Sequence, residues 1–349
     1  MSEPLRSRTL RDLVRGIVLA QGNIFIKGLL RTKGIKIGAT KADFERNLLE
    51  AVDSGQITLA DVETWLEEVE GWGDQHIYLF DVPDTIAKHP IWRTIEGVRR
   101  RVEKAELGDR WNAQTSLAFP GVQTLTGIFF DGTSLRLVWH KGAERWVRDP
   151  SKDYETEIEG ERYRFQAYRY RADRAVTRFE LRIGKSPVAA LFVPIAVNLP
   201  EHKDVIAAAR ETLDKLVEGV EELWRKSVAV GNVIKRLDQE RIAPQQGGPR
   251  VQTHSTRLVG GGAYVEFASL SGSDDYTQSA PVREVRLAIQ PKQLGKFEGA
   301  TGSFEMLKDD RLSRDVRVQL YGKEKRIRIW KQLAADEVWE ILGLLRRFA

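Results

Sequence analysis

The chain of 349 residues contains no cysteine, only two methionines and only five histidines. Without cysteine there is no disulfide, no thiolate-bound zinc, no iron–sulfur cluster and no thiol nucleophile, and a secreted disulfide scaffold is excluded. Long hydrophobic runs are missing too: no stretch approaches 18 uninterrupted apolar residues, so none reads as a membrane span. The segment MSEPLRSRTLRDLVRGIVLAQG is basic with a short apolar stretch, but Arg15 interrupts that stretch and no small-residue cleavage site follows. It does not read as a signal peptide. The expectation is a soluble, intracellular globular protein (cytoplasm or nucleoid, or nucleus) with no membrane partner.

Catalytic signatures are equally sparse. The five histidines, His76, His89, His140, His202 and His254, never pair at a four-residue spacing, and no HExxH string exists. His76, within Gln75-His76-Ile77-Tyr78, reads as part of a packed helix start. Gly260-Gly261-Gly262 lacks the Lys-Ser/Thr that completes a P-loop and reads as a hairpin turn, and no Gly-x-Ser-x-Gly elbow occurs. Asp274-Asp275 and Asp309-Asp310 lie in polar turn segments, where solvated acids are the default. The nearest approach to a metal-dependent nuclease signature is Glu180-Leu181-Arg182, with arginine where lysine belongs. No catalytic residue, metal or cofactor is expected.

What the chain does have is charge, unevenly placed. The net charge is only +5, yet residues 1–50 hold ten Lys/Arg against five acids, whereas 51–90 hold one lysine against nine. Residues 91–175 return to +3, 176–245 to +1 and 246–349 to +4. Such asymmetry speaks to partners rather than to fold.

The pattern of apolar residues predicts helices over 8–21, 24–33, from Thr40 as N-cap through Ala51, and over 59–70 and 85–106, so that the first hundred-odd residues read as all helical. Strand-like runs follow at 113–119, 123–130, 134–141, 154–159, 162–171, 175–184 and 187–195. Residues 202–241 read as one long helix, or two broken near Gly231, and Pro244–Pro249 as a linker. Further strands are expected at 251–259, 263–269, 281–290, 314–320 and 325–330, then a closing helix over 334–347. Strands in runs predict an α+β protein: a helical module (1–108), an antiparallel sheet with a long helix (109–243), and C-terminal strands and helix (250–349).

The stretch from Leu29 to Leu49, LLRTKGIKIGATKADFERNLL, resembles the helix–extended loop–helix of SAP-type DNA-binding modules, with Asn47 as one extra residue between Arg46 and the leucine that follows it in such modules. Its loop places Lys36, Lys41 and backbone N–H groups near a helix N-terminus, an arrangement suited to phosphate. A wider resemblance covers most of residues 5–200. A basic first helix, a short second helix, this loop–helix and a helix bearing Val62, Trp65, Leu66 and Val69 lead into Trp72-Gly73-Asp74-Gln75-His76-Ile77-Tyr78-Leu79-Phe80-Asp81-Val82. A β-region then opens with Gly127-Ile128-Phe129-Phe130 and Leu135-Arg136-Leu137-Val138-Trp139. This order is similar to the centromere protein N family of the inner kinetochore.

That resemblance implies a death-fold-like helical module followed by an α/β domain, a basic groove that grips duplex DNA, and a C-terminal half that pairs with a second copy or a related subunit. The candidate DNA contacts are Arg11, Arg15, Lys27, Arg31, Lys33, Lys36 and Lys41, with Arg99, Arg100, Arg101, Arg162, Arg164, Arg169 and Arg171 as the facing wall. Six to eight phosphate contacts would give log K against log[salt] a slope of about −5 to −7, at roughly −0.9 per phosphate. The leading expectation is therefore a non-enzymatic double-stranded DNA-binding protein. Two alternatives stay open: a protein–protein adaptor using the acidic 51–90 segment and the C-terminal helix, and a subunit of a nuclease or genome-defence system, which would require Asp274, Asp275 and Glu180 to meet.

Overall fold

A computed structural model describes residues 9–20, 23–72, 75–115, 118–195, 201–217, 219–242, 251–271, 274–288, 297–330 and 333–349. The first four helices form where the apolar periodicity places them: α1 (Leu10–Ala20), α2 (Asn23–Thr32), α3 (Lys41–Asp53) and α4 (Leu59–Trp72). Their inward faces share one core in which Leu13, Ile17, Ile26, Leu30, Phe44, Leu48 and Val62 are fully buried. Helix α3 starts at Thr40 in a capping box: the Thr40 hydroxyl accepts from the Asp43 N–H, and the Asp43 carboxylate accepts from the Thr40 N–H.

The all-helical expectation for the first hundred residues fails at one point. Gln75–Asp81, read as a helix start, is strand β1. Both of its faces are buried, so it shows no alternation of apolar and polar residues, and a short apolar run of that kind does not reveal its type by periodicity.

The remaining strands are β2 (Thr124–Phe130), β3 (Ser134–Arg148), β4 (Tyr154–Ile158), β5 (Glu161–Phe165), β6 (Tyr168–Arg182), β7 (Val188–Pro194), β8 (Val251–Gly260), β9 (Ala263–Ala268), β10 (Glu298–Met306), β11 (Val316–Tyr321) and β12 (Arg326–Ile329). Nine of these join β1 in one ten-stranded sheet in the order β2-β3-β6-β7-β1-β12-β11-β10-β8-β9, while β4 and β5 make a separate hairpin. The further helices are α5 (Asp84–Ala87), α6 (Ile95–Lys104), α7 (His202–Leu216), α8 (Val220–Arg225), α9 (Val230–Ile242), α10 (Ala280–Ala288) and α11 (Ala335–Arg347). Several expectations are corrected. The 85–106 helix is α5, a 3₁₀ turn and α6; the long 202–241 helix is three helices; 281–290 begins as helix α10, with Pro281 in its first turn. No strand forms among the described residues of 113–119, and β10 was not foreseen. Pro244–Pro249 lies outside the described residues.

The chain divides into two compact units. The first comprises residues 1–69, 114–126 and 139–176, with α1–α3, most of α4 and the β4–β5 hairpin. The second comprises residues 70–113, 127–138 and 177–349. In the second unit, one face of the sheet presents Ile77, Phe192, Phe304, Val318, Leu320, Ile327 and Ile329 to α9 and α11 in a single core. Helix α9 lies close on β10 because glycines meet there: a Cβ on Gly299 would stand 2.4 Å from the Gly231 carbonyl oxygen. The chain does break just before Gly231, between α8 and α9, and Gly231 itself is a packing contact inside the first turn of α9. The apolar residues of α11 (Val338, Trp339, Ile341, Leu342 and Leu345) are all buried in this core.

No helix among the described residues is long and apolar enough to cross a membrane.

Candidate nucleic-acid interface

The basic residues of the helical module fall into two groups. Arg11 is paired with Asp53, Arg15 with Glu45 at 3.2 Å, and Lys33 with Asp61 at 2.5 Å. These ions brace α1 against α3 and the α2–α3 loop against α4. Lys33 and the hydrogen bonds of Thr58 hold the Asp61 carboxyl down at about 2. Arg31, Lys36 and Lys41 are exposed, and Lys27 is half-buried with its ammonium 5.8 Å from the centre of the Phe44 ring.

The loop between α2 and α3 is built rather than slack. Gly34 takes φ of +65°, the Ile35 N–H returns to the Leu30 carbonyl at 2.8 Å, and Asn47 Nδ2 donates to the Lys36 carbonyl at 2.7 Å. Asn47, the extra residue of the SAP-like pattern, is buried and serves as this clamp. Two of the N–H groups at the helix N-terminus are already taken: those of Ala39 and Thr40 both donate to Asp43 Oδ2 at 3.1 Å. The carboxylate occupies the anion position of the helix N-terminus, and those hydrogen bonds with Arg46 hold Asp43 down at about 2. Phosphate contacts at this loop would come from side chains.

Arg99 and Arg100 are exposed on α6 in one-turn pairs with Glu103 and Glu96, and Arg101 Nε donates to the Leu216 carbonyl at the end of α7. These three belong to the second unit; the other candidates belong to the first. Arg162 and Arg164 are exposed on β5, directly across from Glu157 and Glu155 of β4, so each arginine faces one carboxylate within the hairpin. Arg169 and Arg171 lie on β6, but their side chains fall outside the described residues.

Three features of the second unit were not legible beforehand. On β6, Glu180 lies between Arg178 (3.8 Å) and Arg182 (2.7 Å), and Arg178 and Glu180 are both buried. The Arg178 guanidinium stacks 3.5 Å from the Trp72 ring and that of Arg182 lies 4.0 Å from Trp339. Glu180 and Arg182 border a cleft of about 630 Å³ whose other walls include Asn112, Phe129, Asp131 and Arg136. Glu180 is therefore a counter-ion. Asp275 caps its own turn through Thr277, and among the described residues no three His, Asp or Glu side chains gather into a metal site.

The second feature is a buried polar cluster on β1. His76 Nδ1 lies 2.9 Å from Arg326 Nη1, the rings of His76 and His202 are 5.1 Å apart, and His202 Nδ1 is 2.8 Å from the Tyr78 hydroxyl. Burial, then the charge of Arg326, pushes His76 down to about 3, so it is neutral at ordinary pH. In the first unit, His140 is likewise buried, against Thr126.

The third is a set of arginine–aromatic stacks on β8, β9, β11 and β12: Arg328 over Trp330 at 3.5 Å, Arg326 over Tyr321 at 3.8 Å and Arg257 over Tyr264 at 4.0 Å. Gly261 and Gly262, at φ +58° and +81°, make the two-residue β8–β9 turn, as the glycine run suggested.

No protein-family model, curated protein or solved structure matches the chain.

Proposed function

We propose that the chain is a non-enzymatic double-stranded DNA-binding protein whose helical module holds the phosphate backbone, with the death-fold-like and centromere protein N-like character that its sequence order implies. The observation that carries this reading is the exposure of Arg31, Lys36 and Lys41 around one loop that Asn47 and Gly34 hold in shape. A loop already held in shape loses little main-chain entropy on binding, and phosphate contacts need position rather than base complementarity. Arg11, Arg15 and Lys33, already neutralised inside the module, contribute less. The test is a duplex gel shift with the triple variant Arg31→Glu, Lys36→Glu, Lys41→Glu, which should lose binding and keep its thermal midpoint. Pairing with a second copy or a related subunit through the C-terminal half belongs to the same reading, on surfaces other than the spent apolar face of α11.

A protein–protein adaptor is the second reading, and one observation favours it. On the β4–β5 hairpin, Tyr154, Ile158, Tyr163 and Phe165 share one exposed face, with the Tyr154 and Phe165 rings stacked at 4.9 Å. An exposed apolar cluster of this kind marks a contact surface. A wild-type chain that shifts no duplex at low salt, yet captures a partner that Tyr163→Ala releases, would select this reading.

A further inference from the structure

The ten-stranded sheet is not equally covered along its width. In β1 and β7 nearly every residue is buried, so both faces are packed. In β11 burial alternates strictly: Val316, Val318 and Leu320 are buried, whereas Arg317, Gln319 and Tyr321 are half-exposed. The register carries that open face across neighbouring strands. Arg328 pairs with Gln319, Gln319 with Ser303, and Ser303 with Ser255; Tyr321 pairs with Thr301, Thr301 with Arg257, and Arg257 with Glu266. An antiparallel sheet with one solvated face is common, but its solvated side chains are rarely arginines stacked on rings.

We propose that this open face of β8–β12 binds single-stranded nucleic acid. Trp330 and Tyr264 are exposed and stand at its two sides, each with one ring face covered by an arginine. Stacking on an aromatic ring fixes a guanidinium in a plane from which its N–H edge can meet a phosphate, and leaves the opposite ring face for a base. Arg317, anchored by a 3.1 Å bond from its Nε to the Ser303 hydroxyl, lies between them. From strand spacing and rise, Arg328 and Arg257, three strands and two residues apart in the register, are separated by about 16 Å. Beside Tyr264, a cleft of about 590 Å³ lined by Arg257, the glycine turn and Glu298 has room for a base, with the Glu298 carboxylate as an acceptor for base N–H groups. Arg257, Arg317, Arg328 and the buried Arg326 stand against Glu266, Glu298 and Glu305, four arginines to three carboxylates. Duplex DNA is the poorer fit, because its bases are stacked inside the helix and cannot reach the rings.

This surface is independent of the helical module, and the experiment separates the two. Anisotropy of labelled oligothymidylate and oligouridylate, each about 20 nucleotides and longer than the roughly 4–16 that one binding face covers, is followed as full-length chain is added. Binding of either is expected, weakened at least about ten-fold by Trp330→Ala with Tyr264→Ala, and also by Arg257→Gln with Arg317→Gln, should the first pair unfold. The Arg31/Lys36/Lys41→Glu variant should keep single-strand binding, and the aromatic variant should keep duplex binding. No binding of either oligonucleotide by wild type at low salt, or equal binding by folded variants at this face, would overturn the proposal.

Discussion

Asn47 and Lys36 are joined by a single hydrogen bond, side-chain amide to main-chain carbonyl at 2.7 Å, and through it α3 dictates the shape of the loop that precedes it. The clamp is buried while the Lys36 side chain it serves is exposed. Asn47→Ala removes the donor and leaves the Lys36 carbonyl to find another. Chemical denaturation should show a loss of about 1–2 kcal/mol, and duplex affinity should fall although no charge has changed. Unchanged affinity in the folded variant would mean that the loop geometry is irrelevant to binding.

Glu180 is the counter-ion of two arginines, one of them buried as deeply as itself. Glu180→Gln keeps the volume but removes the carboxylate that both arginines share. Breaking one member of a buried ionic set costs about 3–5 kcal/mol, so denaturant midpoints should drop sharply. The variant should not abolish duplex binding by whatever fraction remains folded.

His76 makes stability depend on pH. Its folded value is about 3, against 6.5 for an ordinary histidine. Between these values the unfolded chain binds a proton that the folded chain refuses. Its contribution is therefore fully present above pH 6.5 and is lost as pH falls towards 3, by up to about 1.4 kcal/mol per pH unit. Denaturation at pH 7, 6 and 5 should show this slope, and His76→Gln, which still offers Arg326 an acceptor, should flatten it.

The helical module was legible because each helix carries its own apolar stripe and because Thr40 and Asp43 announce a start. The sheet was legible only where strands alternate. β1 was hidden by burial on both faces, and β10 by Gly299 and Gly302, small because α9 lies against that strand. α10 was misread because Val282, Val285 and Leu287 suit a strand as well as a helix. The candidate cations were identified by phase, but their fate was not, since Arg11 meets Asp53 and Lys33 meets Asp61 only after the chain has folded back. The arginine–aromatic face likewise exists only in the register of β8 to β12.

The most direct test of the central claim is the salt dependence of duplex DNA binding by the wild-type chain. With Arg11, Arg15 and Lys33 held in ion pairs, the phosphate contacts of the helical module fall to Arg31, Lys36 and Lys41, which are exposed, and to the half-buried Lys27. At roughly −0.9 per phosphate, they predict a slope of about −3 to −4 in log K against log[salt], shallower than the −5 to −7 expected for six to eight contacts. The slope should collapse towards zero in the Arg31/Lys36/Lys41→Glu variant. A wild-type association that is insensitive to salt, or a slope that the variant leaves unchanged, would contradict the account.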